Sequence, residues 1–231
     1  MRVCDMTRPA TGAVRKWRVV GGAILWGLII ALAVYCDPLT QAWWDRYLGD
    51  LFAVHVVALA LTDLLRAHFL LLGVLLLRAL DPRLPRDFMK RAAWVLLSQM
   101  LAAGVVKQLF GRIRPGAGAP VFAFTGPTLA DGSYSFPSGH ATVAFALAGL
   151  LAAYYPRWRW LLIALAALGA LGRVDLGRHY IGDTVAGAVL GWYWAALVLA
   201  GLRRFTRRRD ARRVASEIGA PSAALVGTSE E

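Results

Sequence analysis

FMKRAAWVLLSQMLAAGVVKQLF, residues 88–110, is a run of 23 residues that carries charge only near its ends, on Lys90 and Arg91 and then on Lys107. At 1.5 Å per residue it measures about 35 Å as a helix, enough to cross the roughly 30 Å hydrocarbon core of a bilayer. Five further apolar runs flank it: Val19–Tyr35, His68–Leu80 with an extension back through Leu64 and Leu65, Ser138–Tyr155, Trp160–Leu176 and Ile181–Leu202. This pattern predicts an all-α polytopic membrane protein, a bundle of six transmembrane helices. Composition agrees: of 231 residues 58% are hydrophobic and 17% charged, against about 25% charged in a soluble domain. Mean hydropathy is +0.53, which excludes disorder for most of the chain. The formal net charge of +12 would suit a nucleic-acid binder. The hydropathy does not, so no nucleic-acid partner is expected.

Placement of the basic residues gives the orientation, because Lys and Arg accumulate in cytoplasmic loops. With a cytoplasmic N-terminus, nineteen of the 26 fall inside, among them seven arginines from Arg203 to Arg213. The seven outside are Arg46, Arg66, Lys107, Arg112, Arg114, Arg173 and Arg178. Both termini are therefore expected in the cytoplasm, with residues 1–18 a basic N-terminus, 19–202 the membrane domain, and 203–231 a basic segment followed from Glu217 by a disordered tail. Segment Leu39–Asp63, with Trp43, Trp44 and His55, suits helices lying at the membrane surface between the first two spans. The first run is read as a retained helix rather than a cleaved signal peptide, since no polar region precedes the possible site after Ala31-Leu32-Ala33. Cys4 and Cys36 then lie on opposite sides of the membrane and cannot pair.

Five of the seven outside cations fall in two short stretches, Lys107 to Pro115 and Arg173 to Asp183, each at the outer end of an expected helix. A third stretch, Phe136-Pro137-Ser138-Gly139-His140, opens the fourth helix on the same side. Taken singly, Arg112 or Arg178 could simply snorkel to headgroups. Together, three segments bring cations to one face. His179 and Asp183, four apart, share a helix face, so the carboxylate can accept from one ring nitrogen and leave the other to attack. Pro137-Ser138-Gly139 before an apolar helix offers backbone N–H groups to phosphate oxygens. Lys107, Arg114 and Arg173 would add charge-assisted hydrogen bonds, and His140 is placed to protonate a leaving oxygen.

Lys107-x6-Arg114-Pro115, Pro137-Ser138-Gly139-His140 and Arg173-x5-His179-x3-Asp183 resemble the three signature motifs of the type 2 phosphatidic acid phosphatase family, whose superfamily includes bacterial acid phosphatases and vanadium haloperoxidases. The resemblance implies His179 as a nucleophile forming a phosphohistidine, Asp183 as its orienter and His140 as general acid. It also implies Lys107, Arg114 and Arg173 as a phosphate clamp, helped by Ser138 and the Gly139 amide. The family usually has Ser immediately before the third-motif Arg; here that position is Gly172, which removes one possible hydroxyl contact.

The expected activity is that of an integral membrane lipid phosphatase, acting at the outer face of a bacterial inner membrane. Its substrate would be phosphatidic acid, phosphatidylglycerol phosphate, an isoprenyl pyrophosphate or a lipid A phosphate, and its expected partners are that substrate and membrane lipids, with protein partners left open. Gly116–Phe136, rich in Gly and Pro, would shape headgroup access. No metal or other cofactor is expected: the three glutamates lie in the tail, and a two-metal site would need more carboxylates. The alternatives are a phosphotransferase with the same site and a non-catalytic phospholipid-binding or transport protein, which would need the cations but not His179, Asp183 and His140. A haloperoxidase fits poorly with six lipid-facing helices.

Overall fold

The computed structural model describes residues 11–49, 51–64, 67–128 and 134–218. Among them the architecture is all-helical: α1 (Thr11–Tyr35), α2 (Asp37–Tyr47), α3 (Phe52–Leu64), α4 (Ala67–Leu80), α5 (Phe88–Phe110), α6 (Gly139–Tyr154), α7 (Arg159–Asp175) and α8 (Ile181–Ile218), with a short 3-10 turn at Pro156–Trp158. Four of the eight, α1, α4, α5 and α8, contain the runs Val19–Tyr35, His68–Leu80, Phe88–Phe110 and Ile181–Leu202, and α6 and α7 match the other two to within a residue at each end. Two of them, α5 and the Ile181–Val214 part of α8, are individually long and apolar enough to cross a membrane. The count rises to four if two bent pairs are each one span: Val19–Tyr35 with α2, bent by 54°, and α3 with Phe69–Leu80, bent by 62°. Helix α6 is apolar but shorter, at 16 residues.

The segment between the first two expected spans forms α2 and α3. Of these, α3 packs along α7 and meets Phe69–Leu80 at a bend of 62°. Helix α8 outruns its apolar stretch and carries Arg203–Arg213 on continuous helix, so Glu217 and Ile218 belong to it and not to a tail. Cys4 and the tail beyond Ile218 lie outside the described residues.

The bundle is built on small residues. Apolar burial does little to hold helices together in lipid, so close packing has to do it. Helices α6 and α8 form the most intimate pair; α6 supplies Ala141, Ala144, Ala146 and Ala148, and α8 presents Gly187 and Gly191. A Cβ on Gly187 would lie 2.6 Å from the Ser138 carbonyl oxygen, and one on Gly191 would collide with that of Thr142. The carbonyls belong to the first turn of α6, so this contact fixes where that helix starts. Gly172, the position where the family usually has Ser, is used similarly: its Cβ would stand 3.0 Å from the Ala58 carbonyl oxygen of α3.

Gly191→Ala should therefore destabilise the folded protein in detergent by about 1–3 kcal/mol, the range for overpacking a closed contact. An unchanged thermal or denaturant midpoint would show that α6 and α8 are not so closely apposed.

Candidate active site

All three motifs meet at one end of the bundle, where α5 and α7 finish and α6 and α8 begin. Helix α5 ends on Gly111, whose left-handed φ of 58° turns the chain sharply, a conformation that glycine adopts without a Cβ penalty. The chain then folds back on itself. Ile113 N–H donates to Ala123 O at 2.9 Å and Thr125 N–H to Gly111 O at 3.1 Å, which turns Arg112 inward. The stretch Gly116–Phe136 thus begins as a backbone-pinned return and carries the cations of the first motif with it.

Arg112 is the most heavily engaged of those cations. Its side chain has no exposed surface, and Nη1 lies 2.8 Å from Asp183 Oδ1 and 2.8 Å from Asp37 Oδ2, both equally buried. Its Nε and Nη2 donate to the Val121 carbonyl at 3.3 and 3.0 Å, and its guanidinium lies 4.2 Å above the Tyr180 ring. The Gly182 N–H in turn donates to Asp37 Oδ1 at 2.7 Å. The remaining Asp183 oxygen, Oδ2, accepts from the Tyr180 N–H at 2.9 Å and stands 3.6 Å from His179 Nδ1. Sequence reasoning treated Arg112 as a cation of the outer face with a possible snorkelling role, and overlooked Asp37. An Asp closing the first apolar run, on the side where the motifs lie, was the available signal.

The expected site residues assemble as follows. His179 is almost fully buried in the turn between α7 and α8, with its backbone N–H donating to Arg173 O at 3.2 Å. Burial holds its imidazole below the ordinary range, Lys107 and Arg114 push the same way, and Asp183 opposes them. Lys107 Nζ donates to Tyr134 O at 2.9 Å and is electrostatically coupled to Arg114, which in turn feels Arg178. Ser138 is buried and caps α6, its hydroxyl accepting from Ala141 N–H at 3.5 Å, while its own N–H donates to Asp183 O at 3.0 Å. Second and third motifs are thereby tied through their backbones. The Gly139 N–H is left as a first-turn amide without an intrahelical acceptor. His140 shares a cavity wall with Lys107 and Gly139. Arg173 closes α7, and two residues on Asp175 is engaged by His55 Nδ1 at 3.1 Å and by Trp44 Nε1 at 3.2 Å. Among the described residues no three His, Cys, Asp or Glu side chains gather as a set of metal ligands.

The described residues thus form an all-helical bundle with apolar helices of membrane-spanning length and a buried His–Asp pair among cations at one end, which defines the class as a membrane-embedded helical bundle. The PAP2 superfamily pattern matches residues 89–207, just over half of the chain, and the protein belongs to that family. It is 36% identical over 100 residues to a lipid A 1-phosphatase of Rhizobium etli, covering 42% of this chain and 43% of that one. To an undecaprenyl-diphosphatase of Sulfolobus acidocaldarius it is 36% identical over 92 residues, covering 38% and 42%. The aligned stretch thus spans about two fifths of the length of the lipid A 1-phosphatases it matches. The crystal structure of a transmembrane PAP2-type phosphatidylglycerolphosphate phosphatase from Bacillus subtilis shares the fold, with a TM-score of 0.59, 22% identity, and coverage of 78% of this chain and 96% of that one.

Removing the cation between two buried carboxylates leaves both uncompensated, at a cost of about 3–5 kcal/mol. Arg112→Ala should therefore lower the thermal midpoint or the yield of folded protein far more than Arg178→Ala, since Arg178 is exposed. Equal stability of the two variants would mean that the buried ion cluster is not formed.

Proposed function

We propose that this chain hydrolyses the phosphomonoester or diphosphate of a membrane lipid through a phosphohistidine on His179. The reading is carried by one observation: residues from three separate segments converge at the same end of the bundle around the buried His179–Asp183 pair. Lys107, Arg114 and Arg173 form the phosphate clamp, the Gly139 N–H adds a donor, and Ser138 fixes the start of α6. Preorganised positive charge of this kind stabilises the transferring phosphoryl group.

In the first step the His179 Nε2 lone pair attacks phosphorus while the bond to the leaving oxygen breaks and His140 protonates that oxygen. Asp183 accepts from Nδ1–H and supports the positive charge that builds on the ring. The 3.6 Å separation is slightly longer than a hydrogen bond, and such contacts commonly shorten when substrate binds. In the second step water gives a proton to His140 and attacks phosphorus, the N–P bond breaks, and inorganic phosphate leaves. Both steps run on the protein's own cations, with no metal assigned a role.

A cavity of about 480 Å³ opens beside Lys107, Gly139 and His140, walled otherwise by Gln99 and by mainly apolar residues of α4, α5 and α6 such as Leu70, Leu96 and Val143. An amphiphile with its phosphate at the clamp can lay its chain there. The named activities of the relatives, on lipid A and on undecaprenyl diphosphate, support this class of substrate; phosphatidic acid and phosphatidylglycerol phosphate belong to it too. In this reading α1, α4, α5, α6, α7 and α8 cross a bacterial inner membrane. Both termini are then cytoplasmic, with the exposed arginines of α8 on the cytoplasmic side and the site at the outer face.

His179→Ala should reduce phosphate release from a panel of these lipids by about a thousandfold or more, as loss of a nucleophile does; release at the wild-type rate would remove His179 from that role. Turnover should persist in excess chelator, and loss reversed by one specific divalent ion would contradict the metal-free scheme. Because the attacking imidazole must be neutral and its site lowers its pKa, the acidic limb of kcat/KM against pH should lie below the unperturbed value of about 6.5. A limb well above that value would contradict the assignment.

A further inference from the structure

We infer that Asp37 is a positioning residue for this site: acting through Arg112, it fixes the Asp183 carboxylate and keeps the buried ion cluster at net negative charge, so that Asp183 can orient and support His179. The inference rests on the His179 reading above and extends it to a residue outside all three motifs.

The geometry is specific. Asp37 is the first residue of α2, some seventy residues before the first motif, and it has no exposed surface. Both of its oxygens face donors. Oδ1 receives the Gly182 N–H at 2.7 Å, and Oδ2 lies 2.8 Å from Arg112 Nη1. Burial and the neighbouring Asp183 oppose ionisation of Asp37, while the Gly182 N–H, the Arg112 guanidinium and the N-terminus of α2 favour the anion; in the proposed arrangement Asp37 is the carboxylate ion-paired with Arg112. The approach is possible only because residue 182 is glycine: a Cβ there would fall 2.6 Å from Asp37 Oδ2 and 2.8 Å from Val34. Position 182 adjoins Asp183, so Asp37 grips the backbone of the orienting residue and, through Arg112, its side chain.

Arg112 alone beside Asp183 would neutralise it and weaken its support for a developing imidazolium. Sharing Arg112 with Asp37 leaves two negative charges against one positive. Besides burial, the charged imidazole of His179 is favoured by Asp183 from α8 and opposed by Lys107 from α5 and Arg114 from the return after it; Arg173 and Arg178 flank it along the chain, and His140 opens α6. The Asp175 carboxylate near the end of α7 is occupied by His55 and Trp44. The negative balance at Asp37, Arg112 and Asp183 is therefore what offsets the clamp at His179.

Three variants separate charge from structure: Asp37→Asn, Arg112→Gln, and the double variant. They set the cluster at neutral, two negative charges and one negative charge, the last equal to wild type. With a lipid phosphate that wild type cleaves, the acidic limb of kcat/KM should move down by about one pH unit in Asp37→Asn and up in Arg112→Gln, and return near wild type in the double variant, as a unit charge at short range requires. In Asp37→Asn, kcat should fall ten- to a hundredfold with KM within about threefold. A merely structural role predicts lower activity in all three, with limbs that do not follow net charge, and that result would overturn the inference. If one single variant fails to fold, the order of the other two limbs against wild type still decides. Wild type and His179→Ala, assayed alongside, separate the two claims: equal release by both would sink the nucleophile reading and this inference with it. A limb order that ignores cluster charge would sink this inference alone.

Discussion

Two carboxylates competing for one buried guanidinium set the constraint on which the site depends. Arg112 cannot leave the interior without stranding Asp37 and Asp183, and neither acid can be lost without leaving the cation undercompensated. The three come from the α1–α2 bend, the return after α5 and the first turn of α8. Segments far apart in sequence are therefore fastened at the same point. Because Asp183 also receives the Tyr180 N–H and its carbonyl receives the Ser138 N–H, the start of α6 and the His179 turn are registered to the same cluster. An ion cluster of this kind contributes little net stability compared with apolar packing. Its consequence here is that His179 meets a carboxylate of fixed orientation.

The small-residue seam between α6 and α8 makes the cluster possible. Close approach at Gly187 and Gly191 brings the first turn of α6 against α8, and in that turn Gly139 and His140 share a cavity wall with Lys107. Without large side chains between the helices, the site is set by backbone contact, and backbone is less free to rearrange than long side chains. Fold and chemistry thus share the same glycines, and Gly182 serves both by admitting Asp37 next to Asp183.

Much of this was legible in the sequence. Lys107 and Arg114, Ser138, Gly139 and His140, and Arg173, His179 and Asp183 could be grouped from their spacing because each motif sits at a helix end, and those helix ends come together at one end of the bundle. The apolar runs match α4, α5, α6 and α7 to within a residue at each end, whereas α1 begins well before Val19 and α8 continues well past Leu202. Asp37 was missed because its role depends on a contact with Gly182, and no local pattern encodes a contact across 145 residues. Arg112 was seen but read as an outer-face cation, since sequence shows that an arginine is present and not that two acids enclose it. Gly172 was read as a lost hydroxyl; the structure shows what the vacancy serves, room for the Ala58 carbonyl of α3. The end of α8 was placed too early because hydropathy marks where a helix leaves the apolar region, and backbone hydrogen bonding continues beyond it.

The account stands on a covalent bond between phosphorus and His179, and trapping that bond is its most direct test. Wild-type protein mixed with a radiolabelled lipid phosphate and quenched in alkali should retain label on the protein, stable to base and lost in mild acid as a phosphoramidate is. The label should map to the peptide containing His179 and be absent from His179→Gln. Label on another residue, or rapid turnover by wild type with none trapped at any quench time while the His179→Gln variant remains active, would contradict the account.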